Sequence, residues 1–246
     1  MEIRLEQLSI GYGREKVVVS DINVSIRSNE LTCLIGANGI GKSTLLKTLT
    51  GFLPPLSGRI LLDGQNIGAL SQSERAKLMS IVLTNRMETQ NLSVMDMVGM
   101  GRMPYTGFWG KLEKADEKKV QSAIESVGIG CLRERMVHDL SDGERQKVMI
   151  AKAIAQETPI IYLDEPTAFL DFQSKVEILL LLKRMAKELH KIVFLSTHDL
   201  ELAVRIADLL VELTTDGLHT VSAERVKMQI EGLLNNTSSA VILPNG

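Results

Sequence analysis

The sequence predicts an α/β fold: a mostly parallel sheet, an N-terminal antiparallel β subdomain, and a helical subdomain inserted between strands of the core. Three observations predict it. Leu31 to Ile35, Ile160 to Leu163 and Ile192 to Leu195 are short, predominantly apolar runs, as strands covered on both faces require. Lys42 to Leu49 and about Gln173 to His190 read as the helices lying between them. The N-terminal stretch instead carries period-2 or short apolar runs broken by turn residues.

Taken in order, Ile3, Leu5 and Leu8, then Val17 to Val19, then Ile22, Val24 and Ile26 read as strands, with breaks at Gly11-Tyr12-Gly13 and Asn29-Glu30. The strand Leu31 to Ile35 enters the glycine-rich stretch Gly36-Ala37-Asn38-Gly39-Ile40-Gly41. The helix Lys42 to Leu49 ends near Gly51 and Pro54-Pro55, and Ser57-Gly58 and Asp63-Gly64 bracket a strand from Arg59 to Leu62. Ser71 and Glu74 have capping-box spacing, and Val120, Ala123, Ile124 and Val127 recur at helical spacing. The chain of 246 residues is therefore expected to be one domain, its core about 1–84 and 156–213 and its helical subdomain about 85–155. From about Thr214 the period fades, and 214–246 reads as a tail that loosens at Asn235-Asn236-Thr237-Ser238-Ser239. No internal repeat and no second glycine-rich phosphate loop is found.

Composition narrows the classes of function. A formal charge of -2 and a pI near 6.1 provide no positive field for nucleic acid or anionic lipid. The N-terminal residues lack the apolar core of a signal peptide, and the longest apolar run, Ile178 to Leu182, is far short of the roughly 20 residues of a membrane span. Cys33 and Cys131 match no metal spacing, and Cys33 lies in a strand as a buried thiol, which suits a reducing cytosol.

Gly36 to Ser43 matches G-x-x-x-x-G-K-S, after a strand and opening a helix, where this motif works. Its glycines let successive N–H groups turn inward onto phosphate oxygens, and the helix start adds the positive end of its dipole. Gly36, Ala37, Asn38, Gly39, Ile40, Gly41, Lys42, Ser43 and Thr44 are thus candidate nucleotide contacts. Lys42 is placed to reach the β- and γ-phosphates, and Ser43 to ligate Mg²⁺. This makes the core that of a P-loop NTPase, holding a nucleoside triphosphate with Mg²⁺. Asp164 ends a later apolar strand and is placed to orient Mg²⁺; Glu165 beside it is placed to polarise an attacking water as general base. Two acids after a strand are, by themselves, equally a solvated strand end; the phosphate loop is what favours the pair as a site.

Leu140-Ser141-Asp142-Gly143-Glu144, about twenty residues before Asp164, resembles the LSGGQ signature of ATP-binding cassette proteins, and the resemblance runs through roughly residues 3 to 212. It implies that the nucleotide is ATP and that Tyr12 stacks on adenine. It implies that the signature, Ser141 to Glu144, meets the γ-phosphate held by a partner subunit, with Ser141 and Gly143 as its contacts. Thr167 to Asp171 resembles the D-loop, with Asp171 at its acidic position, and His198 the switch histidine that holds γ-phosphate and water. The implied partners are a second cassette, paired on ATP binding, an integral-membrane permease and an extracytoplasmic substrate-binding protein. The implied location is the cytoplasmic face of the inner membrane.

The signature departs from the pattern twice: Asp142 replaces a glycine, so its carboxylate must turn away from phosphate, and Glu144 replaces glutamine. At the loop where the family carries a metal-sensing glutamine, alignment on Ile81 to Thr84 places Asn85, and Gln90 lies close enough to compete. Gly101-Arg102-Met103-Pro104-Tyr105 resembles a stretch in ATPases of iron-siderophore, haem and cobalamin importers. The expected function is ATP hydrolysis driving such import, with a soluble assembly ATPase, as in iron–sulfur cluster biogenesis, as the alternative. The cargo is not encoded in a subunit that never touches it.

Overall fold

Alternation within the apolar strands decides the architecture, because each of them faces helices or sheet on both sides. A computed structural model describes residues 1–13, 16–83, 91–107 and 110–240, with 233–240 as backbone alone. The expected Asn85 and Gln90 lie outside the described residues.

Among the described residues, ten strands form two sheets. In the first, β1 (Glu2–Gly11) pairs antiparallel with β2 (Val17–Arg27) and β4 (Ser57–Leu62), and β5 (Gln65–Asn66) joins β4. In the second, β3 (Leu31–Ile35), β6 (Met79–Val82), β7 (Ile160–Asp164), β8 (Ile192–Ser196), β9 (Leu209–Thr214) and β10 (Gly217–Val221) take the order β10-β9-β3-β8-β7-β6. From β9 to β6 the strands are parallel; β10 turns back on β9.

Odd and even positions of the central strands feed different cores, as period 2 requires. Leu31, Cys33 and Ile35 of β3, Ile161 and Leu163 of β7, and Val193 and Leu195 of β8 face a helical layer. That layer is α3 (Val94–Gly99), α4 (Lys114–Ser126), α5 (Asp142–Ala155) and α6 (Phe172–Glu188). Leu34, Tyr162 and Phe194 face the other way, onto α1 (Lys42–Leu49) and the antiparallel sheet. Burial pushes the Cys33 thiol up to about 12, so it is inert packing.

The Gly101-Arg102 stretch ties α4 to the end of α5. A Cβ at Gly101 would lie 2.3 Å from the Lys152 carbonyl oxygen, so only glycine lets this turn approach α5. Arg102, 3% exposed, donates to the Ala155 carbonyl at 2.7 Å, to Glu157 at 2.8 Å and to Asp116 of α4 at 2.9 Å. Its guanidinium carbon lies 4.1 Å from the centre of the Tyr105 ring, and Tyr105 donates to the Gln156 carbonyl. Gln156 in turn donates to the carbonyls of Ala76, in α2 (Gln72–Leu78), and Met79.

Beyond Thr214 the structure differs from the expected loose tail. β10 extends the central sheet, and α7 (Leu200–Ile206) is followed by α8 (Ala223–Ala240). Val226 is buried and Ile230 packs on the same core at i, i+4 spacing, which is enough to seat the helix despite a polar stretch after it.

Candidate active site

The site forms where β3, β7 and β8 end side by side, the crevice at the carboxyl ends of parallel strands. Gly36 has φ 149° and a Cβ there would meet the Leu213 carbonyl oxygen at 2.6 Å; Gly41 has φ 117° and a Cβ would strike Val18 at 2.4 Å. Both are therefore glycine by backbone and by space. Gly41 caps α1, whose first residue is Lys42. The Lys42 ammonium donates to the carbonyls of Gly36 at 2.8 Å and Ala37 at 3.1 Å, and lies 3.4 Å from His198 Nδ1. Desolvation lowers its pKa below the ordinary lysine value, with Glu165 and Asp164 acting against that shift. A cleft of about 220 Å³ is lined by Asn38, Gly39, Gly41, Lys42, Ser43, Thr44, Glu165 and His198. Tyr12 reaches the edge of this region through a 3.1 Å hydrogen bond between its hydroxyl and that of Thr44.

On the acidic side, Ser196 donates from its hydroxyl to Asp164 Oδ1 at 2.7 Å and accepts the Glu165 N–H at 2.9 Å. Glu165 sits at φ 49°, a left-handed conformation uncommon for a side chain of its type. Its carboxylate contacts Nε2 of His198. A lysine has only donors, so Lys42 facing Nδ1 makes that nitrogen the acceptor and Nε2 the one that faces Glu165 as donor. Asp199 then caps α7 and pairs with Lys175 of α6 at 3.1 Å.

The signature lies on α5. Ser141 is the N-cap: its hydroxyl accepts the Glu144 N–H at 3.3 Å, and Glu144 accepts the Ser141 N–H at 2.9 Å and hydroxyl at 2.8 Å. These bonds hold the Glu144 carboxyl below its ordinary pKa, the Ser141 backbone bond contributing most. Glu144 can thus stand where the family has glutamine, since either residue closes a capping box. Asp142 pairs with Arg145 at 2.9 Å. A Cβ at Gly143 would come 3.1 Å from the Ser174 hydroxyl, which itself donates to Asp171, the N-cap of α6, at 2.6 Å.

A family model described as ABC transporter matches residues 19–168, more than half of the chain. The chain belongs to the ABC transporter family. The ABC transporter ATP-binding protein MJ0873 of Methanocaldococcus jannaschii is 45% identical over 206 residues, covering 84% of this chain and 71% of that protein. The iron(3+)-hydroxamate import ATP-binding protein FhuC of Bacillus subtilis is 39% identical over 208 residues, covering 85% and 77%. The solved structure of cbiO1 from Clostridium perfringens, part of the ABC transporter complex cbiONQ, superposes with a TM-score of 0.82 at 29% identity, covering 95% of this chain and 93% of that one. The cassette is an ATP-binding subunit and an ATPase, and cassettes of this kind work as dimers with membrane permease subunits. Among the described residues no helix is long and apolar enough to cross a membrane.

Within one cassette the structure brings together the phosphate loop, Glu165 and His198 at the cleft, and Asp164 beside them through Ser196. Neither Ser141 to Glu144 nor Asp171 lines that cleft. Sequence reasoning missed Ser196, whose only sequence mark is a polar residue closing an apolar strand. It also missed Arg145, which follows the signature without belonging to it.

Proposed function

We propose that this cassette drives import of an iron-siderophore, haem or cobalamin. It would do so as a MgATP-hydrolysing pair on the cytoplasmic face of a permease supplied by an extracytoplasmic substrate-binding protein. The observation that carries the reading is the convergence of Lys42, Glu165 and His198 on one cleft whose own chain supplies no signature residue. Half of a nucleotide site is complete, and Ser141 and Gly143 of a second copy, facing it head to tail, supply the other half. The import relatives favour transport over a soluble assembly role, and FhuC, by its name, serves iron(3+)-hydroxamate uptake.

The roles follow from the atoms. N–H groups of 36–44 and the Lys42 ammonium receive phosphate, while Tyr12 packs on the base. The Ser43 hydroxyl and Asp164 carboxylate are hard oxygen donors of the kind Mg²⁺ takes, and Asn85 is the third donor proposed. When bound, the cation neutralises charge developing on the phosphates. Glu165 accepts the proton of a water as its oxygen attacks the γ-phosphorus and ADP departs. His198 Nε2 orients that carboxylate, and Asp171 steadies the segment that meets the partner.

Phosphate release and light scattering on wild type and Glu165→Gln with MgATP test the mechanism. Turnover is expected in the wild type, with an accumulating ATP-bound dimer only in the variant. Hydrolysis by Glu165→Gln at the wild-type rate would remove Glu165 as the base.

A further inference from the structure

The cassette's signature carries a carboxylate that the resemblance does not call for. Asp142 lies in the first turn of α5, the end that the proposed pair turns toward the partner's nucleotide. An unneutralised carboxylate there opposes the γ-phosphate, and like charges brought together in a closing interface are strongly unfavourable. Arg145 meets it: NH1 donates to Asp142 Oδ1 at 2.9 Å. The same guanidinium donates through NH2 to the Leu140 carbonyl at 2.8 Å and through Nε to that of Val137 at 3.4 Å. One side chain therefore fixes both the segment entering the signature and the carboxylate inside it. That needs several donors in a rigid fork, which guanidinium has and ammonium lacks. The other carboxylate of the turn, Glu144, is directed at Ser141.

We propose that Arg145 is the positioning residue of this signature: it turns Asp142 aside and neutralises it, so that the start of α5 accepts the partner's phosphate. The inference rests on the composite-site reading above. It assigns Arg145 a part in closure, with no contact to nucleotide.

The test is the MgATP-dependent dimerisation constant of the full chain carrying Glu165→Gln, measured by light scattering. Adding Arg145→Gln should weaken the dimer by about tenfold or more. Adding Asp142→Asn as well should recover most of that loss, because the charge Arg145 neutralises is gone. Screening shortens the reach of charge repulsion, so the loss should shrink as salt rises. A unfolding midpoint for each variant separates the lost carbonyl contacts, which cost the same whether or not Asp142 is present. Should Arg145→Gln not fold, Arg145→Lys replaces it, with a smaller weakening that Asp142→Asn again removes. Equal weakening with and without Asp142→Asn would overturn the proposal while leaving the composite site standing. Absence of any MgATP-dependent dimer in Glu165→Gln alone would overturn both.

Discussion

Ser196 sets both acids of the candidate site with one hydroxyl, accepting from the Glu165 backbone and donating to the Asp164 carboxylate. Ser196→Ala should therefore lower phosphate release about 10–100-fold, the usual effect of removing a partner that orients a ligand, while fluorescent-nucleotide titration shows binding retained. Loss of binding instead would make Ser196 a fold residue only. Gly41→Ala faces two obstacles at once, a left-handed backbone and a Val18 methyl at 2.4 Å, so the same titration should show nucleotide affinity collapse. The two residues differ in legibility for a physical reason. Gly41 belongs to a motif whose glycines and lysine act within eight consecutive residues, so spacing alone exposes it. Ser196 acts across neighbouring strands, on acids 31 and 32 residues away, and no local pattern encodes that register.

At the scale of elements, α5 is defined at both ends by side chains. Ser141 and Glu144 close its start, and Arg102 takes the Ala155 carbonyl at its end. The Ser71–Glu74 cap was legible because both its residues fall within four consecutive positions, and the structure contains it. Arg102 was legible only as part of a family likeness, because its partners Asp116, Ala155 and Glu157 come from two later segments. Arg102→Met leaves the buried Ala155 carbonyl unpaired and Asp116 without its cation, and denaturant unfolding should show a loss of about 1–3 kcal/mol. The Arg102 bond holds the Asp116 carboxyl below its ordinary value of 3.8. A depressed carboxylate stabilises the fold above its unfolded pKa and ceases to as pH falls through its folded one. Wild type should accordingly lose stability in the window below about pH 4, and Arg102→Met should flatten that part of the profile.

For the whole molecule, the parallel core could be read because its strands are apolar on both faces, and the comparisons with cassette structures agree with that fold class. The C-terminal helix could not: it is seated by Val226 and Ile230, and the Asn, Thr and Ser residues that follow are weak helix formers. A ligand that binds only the folded chain stabilises it by mass action. MgATP at about 100 times its Kd should add about 2.7 kcal/mol, read as a rise in thermal midpoint that Lys42→Ala abolishes. The guanidinium of Arg102 has a last consequence, in time. Peeling α4 or the end of α5 away from this turn strands a buried cation, so no partial opening at that seam is inexpensive. Amide protons in the final turn of α5 and in α4 should then exchange with solvent as one cooperative unit, at a common slow rate.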